Sequence, residues 1–443
     1  VRGRKRLWEC GEAKNSVANH CDRLRNDRND KETAMRRDLF APVIILLLAC
    51  SVRAQESPAP EFERLRTEGR AALYNLDYER ARQSFAEIVR LFPDHPAGPY
   101  QLAAALWLQK LNETRRLQSS LYNSESFYAK NEDRVDERMV QEFRRLTDRA
   151  EALAKVRLNK DPRDADALYY LGATAALRAA FAGSVERRFI AALREGNSAV
   201  DRHRELLKLV PSYRDAELTI GLYDYVVGSL PLPVKLLASI VGHRGSRRRG
   251  IETLERVARQ GRWAQDDARV ILIAIYKREG RVEDALNVAR ELAARYPRNY
   301  LFKLELADAL ALCAADLKRT GELERATAAE REAIAAFEAL LRERPARAPD
   351  LVRFRFGEAL VALGQPARAA QEFLAAATVP TAEPSLATMA QLRAAQALDL
   401  AGRRAEAMVQ YRAVLARPNV YDVHELAQRG LREPFNERAE ERR

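Results

Sequence analysis

An alanine followed twelve residues later by a proline recurs along this chain, at Ala81/Pro93, Ala150/Pro162, Ala199/Pro211, Ala285/Pro297 and Ala333/Pro345. The residue four after each alanine is Phe85, Ala154, His203, Ala289 and Phe337 in turn. Two later segments keep the alanine and the aromatic and bring the proline one residue closer, Ala369-Phe373-Pro380 and Ala407-Tyr411-Pro418. A second register runs twelve residues ahead of the first, with Gly69, Gly357 and Ala395 before Ala81, Ala369 and Ala407. Recurrence at fixed offsets restricts the fold more than any average property does, because it demands a row of similar units.

Each unit reads as two antiparallel helices. A small residue in the first helix makes a notch that lets the second approach, and the alanine early in the second helix packs into it. The aromatic one turn later fills the space between neighbouring units. Proline closes the second helix because it has no N–H for the next backbone bond. Gly280, Gly364 and Gly402 mark the turn between the two halves. The fullest unit is Phe356-Gly357-Glu358-Ala359-Leu360, then Gly364, then Ala369-Ala370-Gln371-Glu372-Phe373.

These offsets resemble the tetratricopeptide repeat of about 34 residues. The best-matching units are 62–95, 266–299, 350–383 and 388–421, and the resemblance covers most of residues 60–420. It implies an all-α fold, an α-solenoid of tetratricopeptide-like helix-turn-helix repeats with roughly eight helix pairs, right-handed and with an extended concave groove. It also implies a scaffold that binds a protein or peptide and needs no cofactor. The family's tryptophan in the first helix is missing, and the period breaks near 107–147 and 313–330, which reads as lengthened helices or insertions.

Composition agrees with stacked amphipathic helices. Apolar residues make up 47% and charged residues 31%, while Gly (19) and Pro (18) are sparse. The formal charge of +12 is uneven: residues 1–54 carry twelve Lys/Arg and seven Asp/Glu, or +5, which leaves about +7 for the remainder. Such a balance suits a mildly basic soluble protein; nucleic acid is not expected as the partner, and a polyanion-binding role is the competing reading.

The N-terminal stretch reads as an address. Met35-Arg36-Arg37 precedes the apolar run Leu39–Ala49, and Val52-Arg53-Ala54 supplies small residues for cleavage, so residues 35–54 form a secretory signal peptide. The run is too short to span a bilayer as a helix, which needs about 20 residues. Residues 1–34 are charged and aperiodic and read as an upstream segment outside the protein proper, and 55–61 as a linker. Leu47-Leu48-Ala49-Cys50 also resembles a bacterial lipobox, with Cys50 as the site of lipidation. The two exits place the chain either free in the periplasm or outside, or anchored to the outer membrane by lipid. After export Cys313 stands alone, in a helical run where a buried structural thiol is expected.

The solenoid is expected over 62–430, with a charged tail at 431–443. Its odd segment is 221–250, GLYDYVVGSLPLPVKLLASIVGHRGSRRRG, which breaks the repeat as a hairpin. Its punctuation is similar to the central segment of the Iml2-like tetratricopeptide family, with Ser246 where that family has an acidic residue. Three readings stand. The hairpin packs inward on Leu232, Val234, Leu236, Leu237 and Ile240; or the apolar stretch 229–241 forms a membrane lip beside Lys235, Arg244, Arg247, Arg248 and Arg249; or the Gly242–Gly250 turn holds an anion at a helix start. No Gly-Lys-Ser/Thr follows those glycines, so the turn is not a Walker A loop.

Signs of catalysis are absent. His20, His95, His203, His243 and His424 share no metal-ligand spacing, no cysteine pair makes a metal site, and no Gly-x-Ser-x-Gly elbow occurs. His203 occupies the aromatic slot of a repeat and reads as core, His95 as a loop residue, and the carboxylates as solvated faces paired on their own helices, as in Glu79–Arg82 and Glu252–Arg256. Tyr169, Tyr170, Tyr223 and Tyr225, with Trp107 and Trp263, read as packing residues before ligand platforms. The expected function is a non-catalytic scaffold of the cell envelope, with a lipid-anchored assembly or transport component as the alternative.

Overall fold

The computed structural model describes residues 59–117, 136–230, 245–343 and 347–436, all within the unit Pro58–Arg443. Cys50, Lys235, Arg244 and Pro345, the upstream and signal segments and most of the linker lie outside the described residues, as do 231–244 of the central hairpin with its Iml2-like punctuation.

Seventeen α-helices and no strand are present among the described residues. They fall into eight pairs: α1 (Pro60–Tyr74) with α2 (Tyr78–Leu91), α3 (Ala97–Glu113) with α4 (Glu137–Lys160), α5 (Ala165–Ser184) with α6 (Phe189–Leu209), α7 (Glu217–Gly228) with α8 (Arg247–Gln260), α9 (Gln265–Arg278) with α10 (Val282–Arg295), α11 (Tyr300–Thr320) with α12 (Leu323–Arg342), α13 (Pro349–Ala362) with α14 (Pro366–Ala377), and α15 (Pro384–Leu400) with α16 (Arg404–Leu415). A last helix, α17 (Val423–Arg432), closes the row. Each helix packs on its neighbours in sequence, so the chain is a solenoid of helix pairs.

Local chemistry sets the boundaries. Proline opens α1, α13, α14 and α15, where a missing N–H costs nothing. Side chains of Asp77, Asp136, Asp164, Ser246, Asn299 and Glu383 accept from the first free amides of their helices. Pro93, Pro162, Pro211 and Pro297 each follow the C-cap residue of α2, α4, α6 and α10. The period breaks near 313–330 because α11 and α12 are 21 and 20 residues long. In the other break α3 ends at Glu113 and α4 begins at Glu137, and 118–135 lie outside the described residues.

All seven register alanines, Ala81, Ala150, Ala199, Ala285, Ala333, Ala369 and Ala407, have no solvent exposure. Phe85, Phe337 and Phe373 are equally buried, and Tyr411 is 1% exposed. The rings do more than fill the space between units. A Cβ on Gly69 would sit 2.3 Å from the Phe85 ring, one on Gly357 would sit 2.7 Å from Phe373, and one on Gly172 would sit 2.4 Å from His203. Each ring thus lies over the glycine of its own pair, the notch that the tetratricopeptide arrangement requires. Tyr411 does the same to Gly430 of the closing helix, at 2.3 Å.

One feature goes beyond a row of neighbours: the first two pairs lie against the fifth to seventh. Tyr74 stacks on Tyr296 with centroids 4.9 Å apart, and its carbonyl accepts from Asn299 Nδ2 at 2.6 Å. Tyr300 donates to Asn112 at 2.8 Å, and Arg115 reaches Asp350 with two bonds of 3.2 Å. The turns involved are strained. After α9, α11, α13 and α15 the left-handed residue is a glycine, whereas after α1 and α3 it is Leu76 (φ 59°) and Arg115 (φ 57°). A non-glycine held there costs about 1–2 kcal/mol; Leu76 packs on the core of the later pairs, and Arg115 binds Asp350.

Candidate interaction surface

Each first helix has a buried notch position: Gly69, Gly172 and Gly357, which lie under rings, and Ala103, Gly221, Ile273, Ala307 and Ala395. At about 100° per residue, positions three before, one after and five after the notch share one stripe beside it. Bonds between first helices of adjacent pairs, such as Arg355 of α13 to Asp308 of α11 at 3.0 Å and Lys277 of α9 to Glu305 of α11, join the later first helices in an inner row. The character of that stripe changes along the molecule.

In the first three pairs the chain itself occupies the stripe. Arg66, at 5% exposure, lies flat over the Trp263 ring at 3.6 Å and donates to the Tyr170 hydroxyl at 3.0 Å. Arg70 bonds the Trp263 carbonyl at 2.6 Å and Asp267 at 2.9 Å, and Tyr74 donates to the same carboxylate. Burial, then the negative charge of Asp267, holds the Tyr74 hydroxyl well above the usual tyrosine range. Tyr100 and Tyr169 complete the cluster, each in edge contact with Tyr170. Asp215 anchors the strip below by accepting three amides, from Arg262, Trp263 and Ala264, at 2.8–3.0 Å.

From the fifth pair onward a charge ladder runs along the inner row. Lys277 bonds Glu305, Arg355 bonds both Asp308 and Glu358, and Arg393 reaches Glu358 at 3.7 Å. Burial pushes the Asp308 carboxyl above its usual range, against the pull of Arg355 and Lys277. Burial likewise opposes the charge on Arg355, but Asp308 and Glu358 win and hold it protonated.

Beside these paired groups, four apolar side chains of the stripe on α7, α9 and α11 remain exposed. Leu222 and Val226 of α7, Val270 of α9 and Leu312 of α11 are 37%, 47%, 36% and 37% exposed. Arg278 of α9, exposed at the same register as Val226 and Leu312, has no ion pair among the described residues.

At the described ends of the central segment α7 and α8 cross closely. Gly221 and Gly228 of α7 meet Gly245 and Gly250 so closely that a Cβ on Gly250 would lie 2.6 Å from the Tyr225 amide nitrogen. These glycines bring two helix backbones together. The start of α8 is capped by Ser246, and Arg247, Arg248 and Arg249 pair with Glu279, Glu252 and Asp224. Arg256 pairs with Glu217 at 2.6 Å and not with Glu252, because α7 lies beside it; Glu79–Arg82 does form. The Gly221/Gly228/Gly250 spacing was the available signal for this crossing.

Tyr170 and Tyr225 are buried, Tyr169 and Tyr223 half-buried, and Trp107 donates to Ser184 Oγ at 3.0 Å. His203 is 1% exposed; its Nε2 faces the Tyr169 carbonyl at 3.1 Å, so Nε2 carries the proton and Nδ1 has no partner. Burial lowers its pKa to about 4, and that of His95 to about 3. His95 sits in the turn after α2, wedged on Phe62 and Tyr170, so this loop residue is also a packing residue. Cys313 is buried and free, its thiol pushed up by burial. Among the described residues no group of three or more His, Cys, Asp or Glu is placed to hold a metal, and no helix is long and apolar enough to cross a membrane.

No protein-family model matches the chain, and no curated protein matches it. Among solved structures it is similar to the human IFIT1 dimer with PPP-AAAA, at 12% identity over 86% of this chain and 87% of that one, with a TM-score of 0.44. It is also similar to yeast Tom70 (11% identity, 83% and 88% coverage, TM-score 0.33) and to a tetratricopeptide repeat protein from Parabacteroides merdae ATCC 43184 (14%, 76% and 99%, 0.29). The tetratricopeptide-type architecture stands on the packing of Gly69, Gly172 and Gly357 against their rings.

Proposed function

We propose that this helical array is a non-catalytic scaffold that holds an amphipathic segment of a protein partner against α7, α9 and α11. The observation that carries this reading is the set of exposed apolar side chains on the inner stripe, Leu222, Val226, Val270 and Leu312, beside surface that is chain-filled or self-paired. An amphipathic helix laid in a groove presents its apolar face to such a stretch. The exposed Arg278 at its margin favours a carboxylate on the partner. A polyanion is a poorer fit, since nucleic-acid affinity comes from cations free to displace counterions. Arg66, Arg70, Lys277, Arg355 and Arg393 on or beside this stripe already have acidic or aromatic partners.

An exported setting is part of the proposal and rests on the sequence Met35–Ala54. The intact mass of protein exported by a bacterial host tests it: a start at Gln55 means soluble export, a lipid-modified Cys50 means an anchored form, and an uncleaved chain sinks the idea. For the surface itself, displayed random 16-residue peptides are selected on the purified chain and measured again on Leu222→Glu/Val226→Glu. Loss of at least tenfold in affinity supports the reading. Equal binding to both proteins, or binding of RNA oligonucleotides alone, refutes it.

A further inference from the structure

Arg66, Arg70 and Tyr74 stand one turn apart on α1, and all three contact the same short stretch of the fifth pair. That stretch offers them an aromatic ring and a carbonyl from Trp263 and a carboxylate from Asp267. These are the groups by which a groove holds a bound peptide: a side chain to cover, a main-chain oxygen and a charge. Three details set the contact apart from core packing. Trp263 is half-buried and lies between two guanidinium groups, Arg66 at 3.6 Å and Arg262 at 5.2 Å. Asp267 is 40% exposed along its side chain, so the acid that answers Arg70 is open to solvent on one side. Arg66 is buried, yet its Nε has no hydrogen-bond acceptor, and its nearest carboxylate is Glu63 at 3.3 Å. An unsatisfied buried guanidinium donor means that the strip fills the groove without meeting all of its chemistry.

The remaining seam between early and later pairs has a similar character. Its bonds are polar, from Asn299 to the Tyr74 carbonyl, from Tyr300 to Asn112 and from Arg262 to Glu63 at 3.5 Å. The side chains of the first two pairs that pack on the apolar core of the later ones, Tyr74, Leu76 and Leu117, are only partly buried. The core of the first pair, built on Phe62, Phe85 and Ile88, is separate from it. Parting the seam therefore exposes neither core.

We infer that the segment Trp263–Asp267 is an internal ligand of the groove on the first three pairs, seated where a protein segment with an aromatic residue and a carboxylate four positions apart binds. The partner's ring takes the place of Trp263 on Arg66, and its acid that of Asp267 on Arg70 and Tyr74. An acceptor beside that ring reaches Arg66 Nε, which gives the partner an advantage that the internal strip lacks. The closed molecule is the self-inhibited one, and the partner opens the seam by competing for its own likeness. The anion seated on Arg70 is a carboxylate, which favours an acidic peptide over a phosphate backbone. The groove belongs to the first three pairs, and the inference stands independently of the partner surface proposed on α7, α9 and α11.

The test uses the full chain and a fluorescein-labelled synthetic peptide that copies residues 261–270, Gly-Arg-Trp-Ala-Gln-Asp-Asp-Ala-Arg-Val. The Trp263→Ala/Asp267→Asn protein lacks the internal ligand and keeps Arg66, Arg70 and Tyr74. By fluorescence anisotropy it should bind the peptide at least tenfold more tightly than wild type, with an unchanged circular dichroism spectrum. Adding Arg66→Gln/Arg70→Gln should cancel that gain. A second measurement needs no variant protein and decides alone if the variant does not fold. Unlabelled peptide carrying Trp263→Tyr is titrated into wild-type protein, and tryptophan emission should shift to the red as the Trp263 ring leaves Arg66 for water. A folded variant with no gain in affinity, or a gain that survives loss of both arginines, overturns the inference. Wild-type emission that stays unchanged throughout the titration overturns it as well. A red shift produced by RNA oligonucleotides and not by the peptide also overturns it, by assigning the groove to nucleic acid.

Discussion

Replacing Gly250 by alanine sets two well-known effects against each other at one atom. In an ordinary exposed helix the change is favourable by about 1 kcal/mol, because alanine has less backbone entropy to lose. Here the new methyl carbon would meet the Tyr225 nitrogen at 2.6 Å, the Gly221 oxygen at 2.7 Å and Tyr225 Cβ at 2.8 Å. Two of these atoms are backbone, so no rotamer change relieves them. Ordinary contact begins near 3.4 Å, and α8 must therefore withdraw from α7 by roughly 0.8 Å, a gap that forfeits a quarter to a half of each dispersion contact it opens. The seam contains Tyr225, Leu254 and Val257, all buried. Overpacking of this kind costs about 1–3 kcal/mol, at times more, which outweighs the propensity gain. We expect Gly250→Ala to be destabilising by about 1–2 kcal/mol in urea unfolding followed by helical circular dichroism, with faster hydrogen exchange in α7 and α8. Gly280→Ala is the control: φ is +70° and nothing lies within 4 Å, so its cost of about 1 kcal/mol is strain confined to one turn. A Gly250→Ala protein as stable as wild type, or more so, would refute the close crossing of α7 and α8.

Asp350 is fully buried and is shared by Arg115, from the far end of α3, and by the amide of Glu383 at 3.1 Å. Asp350→Ala removes the carboxylate both depend on and should cost about 2–3 kcal/mol, with hydrogen exchange rising at the end of α3 as well as around α13; protection unchanged at α3 would mean that the early pairs do not rest on the later ones. His203 and His95 are buried neutral, with pKa values near 4 and 3 against 6.5 when unfolded. Below pH 6.5 the unfolded chain binds protons that the folded chain refuses, so stability is complete above that pH and is lost as pH falls toward the folded values. Each histidine accounts for about 1.5 kcal/mol between pH 6.5 and 5. His203→Phe, which places over Gly172 the ring found over Gly69 and Gly357, should fold and should remove one histidine's share of that slope; an unchanged slope between pH 7 and 5 would show that His203 is not held neutral.

The helix pairs were legible because each depends on residues a short distance apart in sequence: Gly69 needs Phe85, Gly357 needs Phe373, and Pro93 or Pro297 ends the helix just before it. The same local logic placed His203 in the core. Contacts between distant pairs carry no period, so nothing near Arg115 announces Asp350, and Arg66 gives no sign of Trp263. Leu76 was a partial clue, since it stands where the later turns use Gly280, Gly364 and Gly402. The set of exposed apolar side chains from Leu222 to Leu312 was hidden for another reason. Along a single helix these side chains look like core, and only their exposure in the folded chain distinguishes them.

The charge ladder also fixes the order in which the later pairs can be assembled. A repeat protein held together by apolar faces alone tolerates loss or duplication of a unit, because any unit fits beside any other. Here Lys277 is answered by Glu305 in the next pair, Asp308 by Arg355 in the one after, and Glu358 by Arg393 in the last. Excising α11 and α12 would set Lys277 facing Arg355, two cations in the half-buried row with the acids between them gone. The four pairs thus behave less like copies of one module than like numbered parts, each cut to accept one successor.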